Sequence, residues 1–542
     1  MVLKNSLNYI NEFFTYISNQ LRKIYLNSSI YNKKISNIEN NIFNYKPSPS
    51  LLSCLIKFSK NKKNIEDFYI DSIWKRDDVN ENDYKKLHNF FWLFTLDLKS
   101  SKKITQSIIL NWIENNQNYN QKNWEIDILS KRIIAWISNS KLTYEESTEK
   151  YKIKFNFVIK KQVNHLINEI DRSDSIDDKM IGCTAIILSG LSYQDIKTLN
   201  YGLELLKKIS NYSIDDSGFP KSRSLRQLVF YLKYFILIRE LLKESQNNIP
   251  DYLNESIFYL GQNYNLIWQS NKLSFLFNGS HEIDYSEFDR YLKLYGYKFK
   301  HQNNEAGGYG ILQNKNLLLA MDIGSSPDGK FSKSYQSGPL SFEMFYQGQK
   351  IITNCGFFQN VKHQLHSISK STAAHSTLTI DNGSISRFKK SKNGSLIVEK
   401  NFKVFNKKIL QDKKYLQISA EHDGYLKKYG IIHLRELNFI TEANILKGTD
   451  ILIKKRNFKS TNFEIRFHFH PLAKLTKTID QKSILVEIEN SGWRFTCEDH
   501  LIDVETGLYF GKKNTYVENQ NIFVSGLTLD NEQKINWQIS KI

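Results

Sequence analysis

Apolar residues recur at helical spacing through the first half of the chain. Between about residue 75 and residue 265 they repeat every three to four positions, as in SKKITQSIILNWIENN, WEIDILSKRIIAWISN and SLRQLVFYLKYFILIRELLKE. Several of these segments follow a residue that can cap a helix, namely Ser101, Asp177 and Ser224. The pattern predicts a run of antiparallel helical hairpins. It contains no strand alternation strong enough to indicate parallel β/α units.

The spacing changes to a period of two from about residue 300 onward. Stretches such as NLLLAMDIG, HSTLTIDNG, KYLQISAEHD and FEIRFHFHP alternate apolar and polar residues and end at Gly, Asn or Asp turns. Many short strands at regular intervals predict a large antiparallel β-sandwich. The predicted fold class is therefore α+β and multidomain, with a helical domain followed by a sandwich.

Four segments follow from these patterns. We predict a mostly helical N-terminal extension over residues 1–70, a helical domain over 71–285, a linker over 286–300 and a sandwich domain over 301–542. The linker is placed where helical and strand patterns mix.

The charge favours a polyanionic partner. The 542 residues carry a formal net charge of +19, which suits nucleic acid, an anionic membrane or an acidic polysaccharide. Much of the excess is lysine scattered among asparagine and isoleucine, a composition that an AT-rich genome produces by itself. Residues 387–430 are locally basic, with twelve Lys/Arg against four Asp/Glu, and a solvated lysine-rich hairpin is favoured there over a binding stripe. No nucleic-acid-binding motif accompanies the charge, so we expect no nucleic-acid partner.

Cysteine spacing and hydropathy limit which cellular compartments and which metal sites the sequence predicts. Cys54, Cys183, Cys355 and Cys497 lie far apart without CxxC spacing, which argues against a disulfide framework and a structural zinc module. No apolar run is long enough to predict a transmembrane helix. The N-terminus, MVLKNSLNYINEFFTYISNQLRK, lacks the pattern of a cleavable signal peptide, which points to the cytoplasm.

Several polar residues could serve a site in the sandwich. The stretch IRFHFHP places His468 and His470 two positions apart on a predicted strand, where they could share one face. They could chelate a metal, line a cleft as substrate-binding residues, or face solvent. The stretch EHDGYLKKYG places Tyr425 at a predicted turn, where it is either structural or a base facing a cleft.

Two arginines could bind a carboxylate. Arg132 lies one helical turn from Trp136, and Arg223 follows a Gly-Phe-Pro loop. Trp136 is more readily a core residue than a sugar platform. The run GGYG at 307–310 is too short to be a phosphate-binding loop.

The motifs resemble a known family in their order and spread. The stretches LHNFFWLFTL, DDSGFPKSRSLRQLVFYL, LSFEMFYQGQKIITNCG, STAAHSTLTIDNGS and EHDGYLKKYGIIHLREL lie in this order between about residue 80 and residue 540. Together they resemble the heparinase II/III-like family, in particular an uncharacterised bacterial branch. The resemblance implies an α/α toroid-like helical domain, a β-sandwich and a glycan cleft between them. It also implies a polysaccharide lyase that acts on an acidic, uronate-containing glycan in the cell envelope or periplasm.

Such lyases cleave a uronate glycoside by β-elimination. The substrate carboxylate must be neutralised, a base must remove the C5 proton, and an acid must protonate the departing O4. The resemblance implies that active members carry HxHxD before the LSFE strand, a D-x-G aspartate after it and the histidine of AHxTL. On this chain those positions read, in order, Ser334, Gln336, Gly338, Asn354 and His375. Only the last histidine is retained.

These departures from the family pattern determine which residues are predicted to form the site. His375 is the predicted catalytic residue that carries most weight, while Gln336 and Asn354 are predicted to bind substrate. A His/Gln/Asn set would hold zinc poorly, so we expect no tightly bound cofactor and at most a weak zinc site at His375. Tyr335, inside the degenerate segment, is either a displaced base or an ordinary strand tyrosine.

The helical domain departs from the family as well. Active members place a Tyr-His pair after an Arg-Ser/Asn-Pro turn, and here the matching positions are Gln227 and Leu228. Asn164-His165 resembles a carboxylate-gripping pair, although a satisfied helix histidine is favoured. Two functions therefore stand. The first is a lyase with His375, Tyr335 and Tyr425 as catalytic candidates. The second is a glycan-binding or envelope polysaccharide-biogenesis protein that keeps the scaffold without the elimination chemistry.

Overall fold

The fold was obtained as a computed structural model. It describes residues 14, 16–38, 42–56, 80–97, 99–268, 274–391, 394–456, 459–489, 491–497 and 499–542. Two compact units divide the chain: Met1–Tyr212 with Lys233–Ser256, and Ser213–Leu232 with Ile257–Ile542. Part of the predicted N-terminal extension, at 1–13, 15, 39–41 and 57–70, lies outside the described residues, as does 71–79 of the predicted helical domain.

Helices occupy the chain up to residue 294. Their bounds are α1 Ser29–Ser36, α2 Glu81–His88, α3 Lys102–Asn116, α4 Ile126–Ser138, α5 Ser140–Thr143, α6 Glu149–Glu169, α7 Ile176–Ser192, α8 Ile196–Ser213, α9 Leu225–Glu244, α10 Asp251–Trp268 and α11 Ser286–Leu294. Two short helices, α12 Gln364–Ser369 and α13 Leu426–Tyr429, lie among the strands. No helix in the described part of the chain is long and apolar enough to span a membrane.

Capping explains where several helices begin. The Ser101 hydroxyl accepts a hydrogen bond from the amide of Ile104 at the start of α3, as predicted. Ser224 likewise accepts from the amide of Gln227 at the start of α9. The predicted cap at Asp177 is wrong, because Ser175 caps α7 and Asp177 lies in its first turn. There its negative charge interacts favourably with the positive end of the helix dipole.

Nineteen strands are described after residue 304. Their bounds are β1 Glu305–Ala306, β2 Tyr309–Gln313, β3 Leu317–Asp322, β4 Phe342–Tyr346, β5 Gln349–Thr353, β6 Leu378–Ile380, β7 Phe388–Lys390, β8 Leu396–Val398, β9 Val404–Gln411, β10 Tyr415–His422, β11 Ile431–Ile440, β12 Ile445–Lys454, β13 Asn462–Phe469, β14 Ala473–Lys477, β15 Ser483–Ile488, β16 Ser491–Cys497, β17 Leu501–Tyr509, β18 Val517–Leu527 and β19 Glu532–Lys541.

Two large antiparallel sheets share a core. The first has the order β1-β2-β3-β4-β5-β13-β18-β17, with β6 beside β13, and the second has the order β14-β15-β16-β19-β12-β11-β10-β9. One inner face of each sheet supplies the core, as period-two alternation requires. The stacked pair Phe342 and Trp537, from the first and second sheets, shows the contact with ring centroids 5.7 Å apart. The predicted α+β class, with helices first and an antiparallel sandwich second, is confirmed.

The stretch predicted to be a linker begins with a helix. Helix α11, Ser286–Leu294, occupies most of 286–300, and its acidic first turn and basic last turn suit the helix dipole. The strands that position the site follow it and begin at β1.

Candidate functional site

Arg223 lies at the end of the loop before α9, and its side chain is hydrogen-bonded to the surrounding backbone. Its guanidinium donates to the carbonyl oxygens of Gly307 (2.9 Å), Gly308 (3.0 Å), Gly324 (3.1 Å) and Ser325 (3.3 Å), and it pairs with Asp322 at 2.5 Å. These partners match the five N–H donors of an arginine. Arg223 therefore joins the strand ends of β2 and β3 to its own loop. The prediction that it binds a substrate carboxylate is not supported, because no donor is left over.

The glycines near Arg223 are required by its close approach. A Cβ at Gly324 would lie 2.3 Å from the guanidinium carbon, and one at Gly308 would lie 3.0 Å from a terminal nitrogen. A Cβ at Gly307 would lie 2.2 Å from the Phe219 ring. The run GGYG thus makes room for an arginine and an aromatic ring.

A cavity of about 730 Å³ lies beside this arginine. It is lined by charged side chains of both signs together with Phe331; the charged residues are Asp215, Lys221, Arg223, Glu305, Asp328 and Lys407. Lys407 pairs with Glu305 at 2.7 Å. Donors, acceptors and one aromatic ring in a cavity of this size suit a hydroxyl-rich ligand such as a saccharide.

His375 lies apart from this cavity, in the interior just before β6. Its Nδ1 is 2.8 Å from the carbonyl oxygen of Ser371, which fixes Nδ1 as the protonated nitrogen because a carbonyl only accepts. Its Nε2 has no hydrogen-bond partner among the described residues. Burial lowers the pKa of His375 to about 4, so the ring is neutral at pH 7. The side chain is only 2% exposed, which leaves it no contact with a polymeric substrate.

The His375 ring occupies the space of an expected carboxylate. A Cβ at Gly338, the position of the aspartate in HxHxD, would lie 2.5 Å from Cδ2 of His375. Retaining the histidine in this orientation therefore excludes any side chain at residue 338. The glycine at residue 338 and the orientation of the retained histidine are therefore sterically linked.

The two amides at the expected zinc positions are already satisfied. Gln336 accepts from the amide of Gly279 and donates to two carbonyl oxygens, those of Gly356 (2.8 Å) and Ser369 (2.6 Å). Asn354 accepts from the amide of Ser376 at 2.9 Å and donates to Glu343 at 3.1 Å. Their oxygens point at backbone N–H groups, so this donor set does not fit zinc. No group of three or more His, Cys, Asp or Glu in the described part of the chain is arranged to hold a metal ion.

The predicted tyrosine bases are core residues. Tyr335 is fully buried, and Tyr425 is 2% exposed with its hydroxyl donating to the carbonyl oxygen of Leu378 at 2.9 Å. Burial raises the pKa of both phenols well above the ordinary value, which disfavours the phenolate that a base requires. Their predicted catalytic roles are therefore corrected to structural ones.

His468 and His470 do not form a pair on one strand face. The His468 side chain is buried inside the domain, and its Nε2 lies 3.0 Å from the carbonyl oxygen of Ala373. Burial and, to a smaller extent, the neighbouring His375 lower its pKa to about 3. His470 lies just beyond the end of β13 and contacts Glu282, with Nε2 3.4 Å from the carboxylate. The strand ends one residue too early for the predicted shared face.

Comparison with known proteins identifies this domain. Residues 300–538 match the family described as heparinase II/III-like, C-terminal. The C-terminal domain belongs to the heparinase II/III-like family. The resemblance inferred from the motifs is confirmed.

Solved structures extend the likeness to the fold of the whole chain. The heparan sulfate lyase HepC of Pedobacter heparinus, in a mutant form, matches 96% of this chain and 88% of its own with a TM-score of 0.68 and 14% identity. A crystal structure of heparinase III matches 94% of this chain and 88% of its own with a TM-score of 0.67 and 14% identity. The chain therefore has a heparinase III-like fold.

One curated relative is the FtsZ-localized protein C of Caulobacter vibrioides. It is 25% identical over 247 residues, which are 43% of this chain and 42% of that protein. The match spans less than half the length of the relative.

In the helical unit, the predicted substrate contact at Arg132 is also a core residue. It is fully buried, donates to the carbonyl oxygens of His88 (2.9 Å) and Asn123 (3.1 Å), and lies 4.1 Å from the centroid of the Trp112 ring. His165 hydrogen-bonds the Tyr31 hydroxyl at 2.7 Å, and burial lowers its pKa to about 3. It is the satisfied helix histidine that the favoured interpretation expected.

Two charged networks inside the heparinase II/III-like domain were not predicted from the sequence. Lys350 and Glu343 form a fully buried ion pair of 2.9 Å, with the amides of Leu276 and Asn354 also bonded to the carboxylate. The available signal was a glutamate and a lysine inside the apolar strands LSFEMF and QKIIT.

The second network is a set of buried polar contacts across four strands, β10, β11, β12 and β19. Arg435 and His433 both contact Asp450, at 2.8 Å and 2.7 Å, and His433 is 3.1 Å from His422. Trp537 donates to the same carboxylate at 2.9 Å. The signal was HLRE, with polar residues at alternate, inward positions of β11.

Proposed function

We propose that this protein binds an acidic, uronate-containing polysaccharide on a polysaccharide-lyase scaffold, and that β-elimination does not proceed through the inherited histidine-and-metal positions. The observation that carries the proposal is the closed network around His375. The ring fills the space at Gly338, and the amides of Gln336 and Asn354 are bonded to the backbone. A buried, neutral group without substrate access supplies neither the carboxylate clamp nor the base that elimination requires.

Glycan binding is supported by the cavity beside Arg223. Lys221 and Lys407 contribute cationic side chains to its lining, while the carboxylates of Glu305 and Asp328 can accept hydrogen bonds from sugar hydroxyl groups. The net charge of +19 favours a polyanionic ligand at long range. The lyase scaffold supports polysaccharide over other polyanions.

A second candidate is a lyase that still cleaves such a glycan. It is favoured by the fold, which follows a protein described as a heparan sulfate lyase over 96% of this chain. This activity requires an acid and a base other than His375, Tyr335 and Tyr425, because all three are buried.

The proposal includes a location in the cell envelope, as the family resemblance implies. The name of the Caulobacter relative describes where that protein is found and not a reaction. It therefore suggests no enzymatic activity for this chain. Fractionation of cells with an antibody to this chain tests the location.

Affinity electrophoresis tests glycan binding. The full chain is run in native gels that contain either a glucuronate-rich polymer or a neutral glucan. We expect retardation by the acidic polymer, about tenfold weaker retardation for Lys407→Ala, and no change for Lys413→Ala. The control Lys413 is exposed, lies in the same basic stretch and does not line the cavity.

Two results decide against the proposal. Unchanged mobility in every acidic polymer tried would contradict glycan binding. Equal loss of retardation in both variants would contradict the assignment to this cavity.

A further inference from the structure

A second, smaller cavity lies where the last long helix meets α11. Its volume is about 200 Å³, and its lining comes from the C-terminal end of α10, from α11 and from the segment after it. Four of the lining residues are aromatic: Tyr264, Trp268, Tyr297 and Phe299. None of the residues discussed as lyase positions belongs to it. The volume is below that of a pocket for a drug-sized molecule, which points to a small ligand.

The aromatic rings are held in fixed positions. Tyr264 and Trp268 stack with ring centroids 5.7 Å apart and an interplanar angle of 16°. Phe299 lies directly on α10 at Gly261, where an added Cβ would be 2.1 Å from the ring. Tyr297 and Phe299 lie 6.0 Å apart at 31°. Rigid aromatic faces are surfaces on which the C–H face of a sugar ring can pack.

Polar groups accompany the rings. The Tyr264 hydroxyl donates to Oδ1 of Asp289 at 2.7 Å, and both residues line the cavity together with Asn265 and Lys293. The Lys293 side chain is exposed. These groups supply a carboxylate, an amide and an ammonium around one small volume, a combination suited to ring hydroxyls and to a sugar carboxylate.

Trp268 contributes its ring to the wall of the cavity. Its side chain is 4% exposed, and its indole nitrogen is buried without a hydrogen-bond partner among the described residues. Because that nitrogen is not accessible from the cavity, Trp268 offers a ligand its apolar ring and not its N–H.

We propose that this cavity is a separate sugar-binding site that takes a single pyranose ring, with a uronate preferred because Lys293 can pair with its carboxylate. The inference rests on the proposed function only in naming the glycan to which the ring belongs. The ring would pack on Phe299 and Tyr297, and its oxygens would bond Asn265 and Asp289.

Saturation-transfer NMR on the full chain tests the site with two small probes, methyl β-glucuronide and methyl β-glucoside. We expect transfer to the ring protons of both, stronger for the glucuronide. Phe299→Ala should reduce transfer at least fivefold for both probes. Lys293→Ala, which changes only an exposed side chain, should abolish the preference for the glucuronide. Lys298→Ala, an exposed neighbour that does not line the cavity, should behave as the wild type.

The outcomes separate this site from the proposed function. Absence of transfer in the wild type, or wild-type transfer in Phe299→Ala and Lys293→Ala, would overturn the site even if the acidic polymer still retards the chain. Equal transfer to the two probes would overturn the uronate preference. Transfer to the probes without retardation by any polymer would support the site and count against the proposed polymer.

Discussion

At the scale of single residues, His375 and Gly338 are mutually dependent. The ring lies where any side chain at residue 338 would project, at 2.5 Å from an added Cβ. A glycine at this position is therefore explained by packing, since no backbone strain requires it.

A double-mutant cycle tests this dependence. We expect Gly338→Ala to lower the free energy of unfolding by about 1–3 kcal/mol because it overpacks a buried site. The same change in a His375→Ala background should cost at least about 1 kcal/mol less, since the obstructing ring is gone. Urea unfolding of the four proteins measures the coupling, and additive effects would show that the two residues do not compete for space.

The buried state of His375 predicts acid sensitivity. Burial lowers its pKa to about 4, whereas the unfolded side chain has a pKa of about 6.5. The unfolded chain therefore binds a proton between pH 6.5 and pH 4 that the folded chain does not, and stability is lost as the pH falls through this window. His375 alone should contribute about 2 kcal/mol of destabilisation between pH 7 and pH 5.

The matching measurement compares wild type and His375→Gln. Urea unfolding at both pH values should show a pH-dependent loss smaller by this amount in the variant. An identical pH dependence of the two proteins would mean that His375 titrates in the folded chain as it does in the unfolded chain.

At the scale of elements, Asp450 links β11, β12 and β19 through buried polar contacts. Arg435 also donates to the carbonyl oxygens of Leu340 (3.0 Å) and Ser376 (2.7 Å), which lie in loops of the other sheet. One arginine thus joins the two sheets of the sandwich through hydrogen bonds as well as packing.

Removing Arg435 should be costly. Arg435→Met leaves Asp450 buried without its cation, and we expect a loss of about 3–5 kcal/mol in the free energy of unfolding. Lys534→Met breaks an exposed pair with Glu532 on β19 and should cost less than about 1 kcal/mol. Thermal or urea unfolding ranks the variants, and similar losses in both would contradict a special role for the buried pair.

Much of the fold could be predicted because its determinants are local. Helical spacing and the caps Ser101 and Ser224 are encoded within a few residues, and so is the alternation that forms β13. The contacts of Arg223 could not be predicted in this way, since its partners are backbone carbonyls about 100 residues later. The same holds for His375, whose buried ring packs against Gly338, a residue distant from it in the sequence.

The site positions were recognisable, but their surroundings were not. The motifs identify Gln336 and Asn354 as positions that depart from the family pattern. Their roles depend on amide partners at Gly279 and Ser376, which no spacing in the sequence reveals.

At the scale of the whole molecule, a heparinase III-like fold carries the charge and the cavities on which the proposed glycan binding rests. The positions that the family resemblance assigns to catalysis are closed. The scaffold follows heparan sulfate lyases over nearly all of the chain at 14% identity. Retained fold and altered site together favour binding over cleavage, because function resides in the site and not in the fold.

One measurement tests this central claim most directly. The full chain is incubated with the uronate polymer that retards it in native gels, and the formation of unsaturated uronate ends is followed by ultraviolet absorbance. We predict binding with no increase in absorbance above a heat-denatured control. A steady increase in absorbance that His375→Ala abolishes, with retardation unchanged, would contradict the account by showing that elimination still depends on this histidine.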